Sequence, residues 1–447
     1  MSFNPHSDAD RREMLQTIGV ESEDDLFADV PDRFRLDRPL DIPSALSEWE
    51  ALRTLQAHGA ANASLICFAG AGYYDHHVPA VVDHLIRRSE FYTAYTPYQP
   101  EVSQGTLQAI YEFQSMVCEL MGLDVANASM YDGASAMAEA ALMARSIKKK
   151  REKIVVSGTV HPHYRQVLSA YNYGVKAPIE VAPRDGSGIT DMDALAGLIK
   201  GDDDTAAIIL QSPNFFGNIE DFQSAASLAH DAGALLIAVV DPISLALLKS
   251  PGECGADISV AEGQPLGNGM SYGGPVVGLF ASRKEYIRQM PGRIVGAATD
   301  VEGRRGFVLT LQTREQHIRR EKATSNICTN QGLNALAATI YMATMGRSGL
   351  RQVAETSAQV AHYAYDQIVE LDGIEPLFPD AHFFREFAIK TSEPAGRVIE
   401  RGIARGVLAG VDLSRFPCLQ ADGLLIAFTE KRSKADVDGL IEVLRGG

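Results

Sequence analysis

Six consecutive apolar residues, Leu235-Leu236-Ile237-Ala238-Val239-Val240, lead directly into Asp241. An apolar strand that ends on an acid lies where an open α/β sheet gathers its ligand contacts, at the carboxyl edge. An acid there suits pairing with a protonated ring nitrogen. Pyridoxal phosphate (PLP) needs such a pairing, with a downstream lysine as its Schiff-base partner. A second short strand, Asp257-Ile258-Ser259-Val260, is present, but the lysine is not. None occurs between Lys249 and Lys284, and the stretch where it is expected reads Glu262-Gly263-Gln264-Pro265-Leu266-Gly267. The residues describe a cofactor scaffold without the means to hold the cofactor covalently. Asp241 also reads as a turn acid before Pro242, although its place after the most apolar strand favours the site reading.

Three other stretches carry chemistry-capable residues. In Ala128-Ser129-Met130-Tyr131-Asp132-Gly133-Ala134-Ser135-Ala136, the small residues Gly133, Ala134 and Ser135 open a helix whose free N–H groups suit a phosphate. A tightly packed, Ser- or Asp-capped helix entry explains them as well, and for so short a signal it is the better reading. His161, in Thr159-Val160-His161-Pro162-His163, follows a strand. A loop histidine there suits stacking on a flat ring or acid–base work, and equally suits capping the next helix. In Thr93-Ala94-Tyr95-Thr96-Pro97-Tyr98-Gln99-Pro100-Glu101, two prolines fix the backbone beneath two tyrosines. A rigid surface turn and a ligand-facing loop are equally consistent with it. The polar, arginine-dense residues 310–330 read as a solvated helix, or else as a charged surface for a carboxylate or an acidic partner.

The elements that must position these residues alternate. Strands are expected at 154–156, 179–181, 206–210, 235–240 and 276–281, and helices at 164–173, 192–199 and 222–231, which makes a mainly parallel, helix-covered sheet. Residues 1–63 read as a helical arm, with helices near 8–18 and 43–58. A large domain follows over 64–330. Residues 331–447 comprise a linking helix (333–345) and a small C-terminal α/β domain with strands near 384–389 and 424–428 and helices at 395–402 and 434–444.

Length and composition are those of a multi-domain globular protein: 447 residues, 46% hydrophobic and 22% charged. A formal charge of −16 argues against a nucleic-acid partner. No apolar run approaches the roughly 20 residues needed to span a bilayer, and no signal core is evident near the N-terminus. Cys67, Cys118, Cys254, Cys328 and Cys418 are scattered without a paired spacing. They read as reduced, buried thiols of a cytosolic protein, not as metal ligands or a disulfide framework.

Taken together, these stretches resemble the glycine-cleavage P-proteins (glycine decarboxylases), and more narrowly the α subunit, subunit 1, of their two-subunit form. The resemblance rests on Tyr95–Gly105, Ala126–Ser129, Tyr272–Pro275, Pro291–Gly296 and Leu311–Thr329, and it extends over essentially the whole chain. It departs mildly at Tyr131-Asp132-Gly133-Ala134-Ser135, where the family often has Asp-Glu-Gly-Thr-Ala.

The resemblance implies an aspartate-aminotransferase-like fold (PLP fold type I) in which only subunit 2 carries the PLP lysine. The partners it implies are subunit 2, in an α2β2 assembly, and lipoylated H-protein. Glycine would lose its carboxylate as CO2 and pass its aminomethyl group to the lipoyl arm. It implies Tyr95, Pro97, Tyr98, Thr324 and Asn326 as the residues of this chain that reach a shared active site. Gly133, Ala134, Ser135, His161 and Asp241 would then be vestiges of a cofactor site. Two other readings stand beside this one. One is a self-sufficient PLP enzyme using Lys249 or Lys284, neither of which suits a Schiff base facing Asp241. The other is a purely structural subunit that docks H-protein.

Overall fold

The computed structural model describes residues 5–446. They fall into two compact units that divide after Ala63. The first holds the helices Asp8–Ile18 and Glu48–Ala60, each opened by a capping box, Ser7 with Asp10 and Ser47 with Glu50. The Ser47 cap explains why the second helix begins at Glu48 and not at Pro43. None of the described residues in this unit is buried, and Phe34, Ile42, Trp49 and Leu55 are exposed.

The second unit is built on a seven-stranded sheet. Its strand order is Val125–Ala126, Gly278–Ser282, Ile258–Glu262, Leu235–Val240, Thr205–Ser212, Lys153–Ser157 and Ile179–Ala182. The five strands from Ile258–Glu262 onward are mutually parallel, while Gly278–Ser282 runs antiparallel to both its neighbours. Side chains alternate across Leu235–Val240, as a strand requires. Leu236, Ala238 and Val240 enter a core with Phe113, Leu195, Phe222 and Tyr341. Leu235, Ile237 and Val239 enter another with Met137, Ala140 and Leu168. A strand covered on both faces has no polar side, hence its unbroken apolar sequence.

A long helix, Gly332–Ile368, continues well past the expected end at Met345. It kinks at Gly346 (φ 58°, ψ −174°), a left-handed position that glycine tolerates. Its first half packs Ala335 and Ala338 into the core of the large sheet. Its second half packs Ala361, Ala364 and Ile368 beneath the small domain. That domain is a four-stranded antiparallel sheet in the order Ile374–Pro376, Glu386–Thr391, Leu424–Ala427 and Val411–Asp412. The helices Ala395–Ala404 and Lys434–Leu444 pack Val398, Val437 and Leu440 into its core.

Two features differ from the sequence reading. Residues Ile294–Thr299 and Arg305–Thr310 pair as an antiparallel hairpin that was not expected. Residues 310–330 do not form a solvated helix; they make short turns around Gln316–Arg319. Leu311 and Arg320 have φ of 54° and 55°, which breaks any continuous helix. The Arg314 guanidinium instead bonds to the carbonyls of Met290, Gly292 and Leu311, holding the segment against the residues before the hairpin.

Candidate functional site

Three sheet strands, Thr205–Ser212, Leu235–Val240 and Ile258–Glu262, end beside one another. The helix Gly133–Ile147 begins close to the last of them, and here the structure gathers Gly133, Ala134, Ser135, His161 and Asp241. Asp132 caps the helix, its Oδ1 accepting from Ser135 N at 2.7 Å and Ser135 Oγ at 2.9 Å. The hydroxyl of Ser135 is thereby committed. Gly133 N donates to Glu262 Oε2 at 3.0 Å, and Gln264 N donates to Glu262 Oε1 at 2.9 Å. A carboxyl of this chain thus occupies the anion seat at the helix N-terminus. Any Cβ at Gly133 would collide with the Tyr164 hydroxyl and the Glu262 backbone, so glycine is required for the close approach. Burial pushes the Glu262 carboxyl up to about 8.

Asp241 is likewise engaged. Its Oδ1 accepts from Ile243 N at 3.0 Å, and its Oδ2 lies 2.6 Å from Arg385 Nη2. The second contact is ionic, since Arg385 Nη2 makes no aligned hydrogen bond. The buried Arg385 guanidinium also lies 3.7 Å from the Tyr74 ring centroid and touches His76 Nε2. Glu386 accepts from Ala71 N at 2.7 Å and from the Tyr74 hydroxyl at 2.8 Å, and burial pushes its carboxyl up to about 7. Gln264 clasps the Tyr74 backbone, accepting from its N–H at 3.0 Å and donating to its carbonyl at 3.1 Å.

His161 stacks on Tyr164 (centroids 4.9 Å apart, 23° between planes) and meets Phe215 edge-on at 4.8 Å. Its Nδ1 accepts from His163 N at 3.1 Å, which leaves Nε2–H to donate to the Ala71 carbonyl at 2.9 Å. Burial pushes its pKa down to about 4, so the ring is neutral.

These contacts test whether the chain's residues fit PLP, and they do not. The phosphate seat holds Glu262, the ring-nitrogen acid is paired with Arg385, and the flat face of His161 lies on Tyr164. Lys249 lines a separate cavity with Ser212 and Glu220, and the backbone N of Lys284 donates to Asp124 at 2.9 Å; neither lysine appears in the contacts of Asp241.

The tyrosine loop is built differently. Tyr95 is 78% exposed and Tyr98 46%. The Tyr98 hydroxyl accepts from Arg293 Nη2 at 2.9 Å, and the guanidinium lies 5.3 Å from the Tyr98 ring centroid. Gln104 ties the loop to the hairpin, donating to the carbonyls of Pro100 and Phe307 and accepting from Phe307 N. Tyr95 and Pro97 line a cavity of about 200 Å3 with Ile110, Phe113 and Leu333, and Tyr98 is not among its lining residues.

Thr324 and Asn326 line another cavity, of about 360 Å3, with Tyr131, Glu139 and Tyr171. Thr324 also borders a small cleft with Gly292, Arg314 and Glu315. Glu315 Oε2 is 3.8 Å from Arg293 Nε, so Tyr98 and Thr324 flank one buried charge pair. The structure therefore gathers one group of the expected residues into a closed seat and leaves the other as a looser rim along two cavities, where Tyr95, Tyr98 and Asn326 are exposed, Thr324 is half-buried and Pro97 is buried.

Sequence reasoning missed Arg385, Glu386 and Glu139 as site residues, and met Arg293 only inside the family stretch Pro291–Gly296. Glu262 and Gln264 were visible, but only as residues standing where a lysine was sought.

The chain matches the glycine cleavage system P-protein family over residues 1–444. It is 52% identical over 449 residues to the probable glycine dehydrogenase (decarboxylating) subunit 1 of Carboxydothermus hydrogenoformans, covering 100% of both chains. To the protein of the same description from Chlorobium limicola it is 49% identical over 447 residues, covering 99% of each. Its structure is similar to an inhibitor-bound glycine decarboxylase (P-protein) of the glycine cleavage system, with a TM-score of 0.90, 44% identity and full coverage of both chains. A sphingosine-1-phosphate lyase from Burkholderia pseudomallei shares the fold at a TM-score of 0.66 and 14% identity, covering 93% of each chain. The architecture is the aspartate-aminotransferase-like α/β fold (PLP fold type I). With the family pattern matched almost from end to end and about half its residues shared with full-length relatives, this chain belongs to the glycine cleavage system P-protein family.

Proposed function

We propose that this chain is the subunit of a glycine decarboxylase that does not itself hold PLP, and that it completes an active site whose Schiff-base lysine belongs to subunit 2. The assembly is α2β2 and cytoplasmic. Its reaction takes glycine and the lipoyl arm of H-protein to CO2 and the aminomethyl-dihydrolipoyl form. The observation that carries this reading is the Glu262 carboxyl on Gly133 N, which puts a group of this chain where a cofactor phosphate would sit. Five free cysteines fit a reducing compartment, although, against expectation, none is fully buried and Cys328 and Cys418 are exposed, and no helix among the described residues is long and apolar enough to cross a membrane. The exposed apolar side chains of residues 5–63 fit an obligate partner surface.

On the partner, PLP supplies the electron sink for loss of the carboxylate. This chain supplies orientation. Arg293 donates to the Tyr98 oxygen, so the phenolic proton is free to be given elsewhere, and Pro97 and Pro100 hold the ring in place. A hydroxyl fixed in that way orients a neighbouring carboxylate without first reorganising, holding the bond to CO2 in place for cleavage. Tyr95, Thr324 and Asn326 form the remainder of the surface presented to the substrate, and the buried Pro97 sets the backbone beneath it.

Borohydride reduction of the purified complex, followed by peptide mapping, tests the division of labour. The pyridoxyl-lysine is expected on a subunit 2 peptide. A pyridoxyl-lysine on a peptide of this chain overturns the proposal.

A further inference from the structure

The cavity bordered by Thr324 and Asn326 contains a group that the proposed function does not use. Glu139 projects from the middle of the helix Gly133–Ile147 and is 3% exposed. It lines a space of about 360 Å3 with Tyr131, Tyr171, Thr324, Ser325 and Asn326, within the usual ligand-pocket range of roughly 300–1,000 Å3. The Ser325 side chain lies close enough to its carboxyl to lower its pKa against the effect of burial. Among the described residues lining the cavity, Glu139 alone carries a formal charge.

A buried carboxylate with no counter-charge is costly and either takes up a proton or recruits a cation. Burial pushes Glu139 up to about 7, which keeps both states accessible at neutral pH. The remaining lining suits an ammonium group: hydroxyls and an amide oxygen to accept its N–H bonds, and two tyrosine rings whose faces attract a cation.

We infer that this cavity is a seat for a small primary ammonium group, with Glu139 as its counter-ion and Thr324, Ser325 and Asn326 as acceptors. When an ammonium ion enters opposite the protonated carboxyl, the carboxyl proton passes to solvent and the nitrogen keeps its three hydrogens. The occupant is a free primary amine and not substrate glycine, whose nitrogen the proposed function commits to PLP on subunit 2, so the seat stands independently of that function.

The test is calorimetric titration of the full-length chain with methylammonium chloride, with tetramethylammonium chloride at equal ionic strength as a cation that has no N–H. The expected result is saturable methylammonium binding with proton release. It should weaken at least about tenfold in Glu139→Gln, persist in Glu139→Asp, and be absent for tetramethylammonium. The inference is overturned by binding in Glu139→Gln within about twofold of the parent, by equal binding of tetramethylammonium, or by no saturable binding to the parent chain. Glu139→Asp, which keeps the charge, guards against a folding defect in the glutamine variant. None of these failures bears on the location of the pyridoxyl-lysine, which tests the proposed function separately.

Discussion

The closed seat at the sheet's edge and the exposed rim around Tyr95 and Tyr98 use similar residues to opposite ends. In the seat, acid meets donor within the chain: Glu262 with Gly133 N and Gln264 N, Asp241 with Ile243 N and Arg385, Glu386 with Ala71 N and Tyr74. At the rim, bonding capacity is left over. Tyr95 stands free in solvent, and both Arg293 Nε and Glu315 Oε2 lack an aligned hydrogen bond although they are buried. Both regions hold a buried ion pair with imperfect alignment, since Arg385 Nε and Nη2 in the seat also lack an aligned hydrogen bond; the difference is exposure, because the seat is closed over its own partners while Tyr95 and Tyr98 stand open to whatever docks. On the proposed function, that difference would put stability in the seat and catalysis at the rim.

That division is open to attack at the seat first. Arg385→Met removes the charge facing Asp241 and leaves a largely buried carboxylate unpaired, so denaturant unfolding should show a loss of about 3–5 kcal/mol. Adding Asp241→Asn should restore much of it. A full-strength loss of glycine–CO2 exchange in a stable Arg385→Met complex would instead put catalysis in the seat.

At the rim the expected effect lies in rate. Tyr95→Phe or Tyr98→Phe keeps the ring and deletes one hydroxyl. In the assembled complex it should lower glycine–CO2 exchange by about ten- to a thousand-fold, matching roughly 1.4–4 kcal/mol of transition-state stabilisation. Assembly and PLP content should be unchanged. Unaltered exchange in both variants would leave this chain a purely structural partner.

The smallest effect is a pH slope. Glu262 sits near 8 in the folded chain, above the ordinary carboxyl value of 4.5. A raised carboxyl makes its full contribution to stability below the unfolded value, and the contribution is lost as pH rises through the folded one. Relative to Glu262→Gln, the parent should therefore lose stability progressively between pH 5 and pH 9. Parallel stability curves for the two proteins would mean that the carboxyl is not the buried, protonated occupant of the helix N-terminus.

Part of this is legible in the amino-acid order. The unbroken apolarity of Leu235–Val240 is a local signal of a strand buried on both faces, and the alternation of such strands with helices implies the parallel sheet. The absence of lysine between Lys249 and Lys284 is equally plain. The turns of residues 310–330 are not legible there, because the bonds that hold them run from Arg314 to carbonyls more than twenty residues back. The hairpin Ile294–Thr299 with Arg305–Thr310 escapes because its exposed end, from Gly296 to Gly306, lacks the alternation that marks a half-buried strand.

What the chain's residues dictate unaided is local: strand and helix identity, the capping of Gly133–Ile147 by Asp132, and the missing Schiff-base lysine. Those follow from periodicity and from hydrogen bonds spanning a few residues. That the seat is closed and the rim open is a matter of long-range contact. Gly133 meets Glu262 across 129 residues, Arg293 reaches Tyr98 across 195, and Arg385 contacts His76 across 309. No spacing rule encodes partners so far apart; they are chosen when the sheet brings its strand ends together and burial makes an unpaired charge too costly to keep.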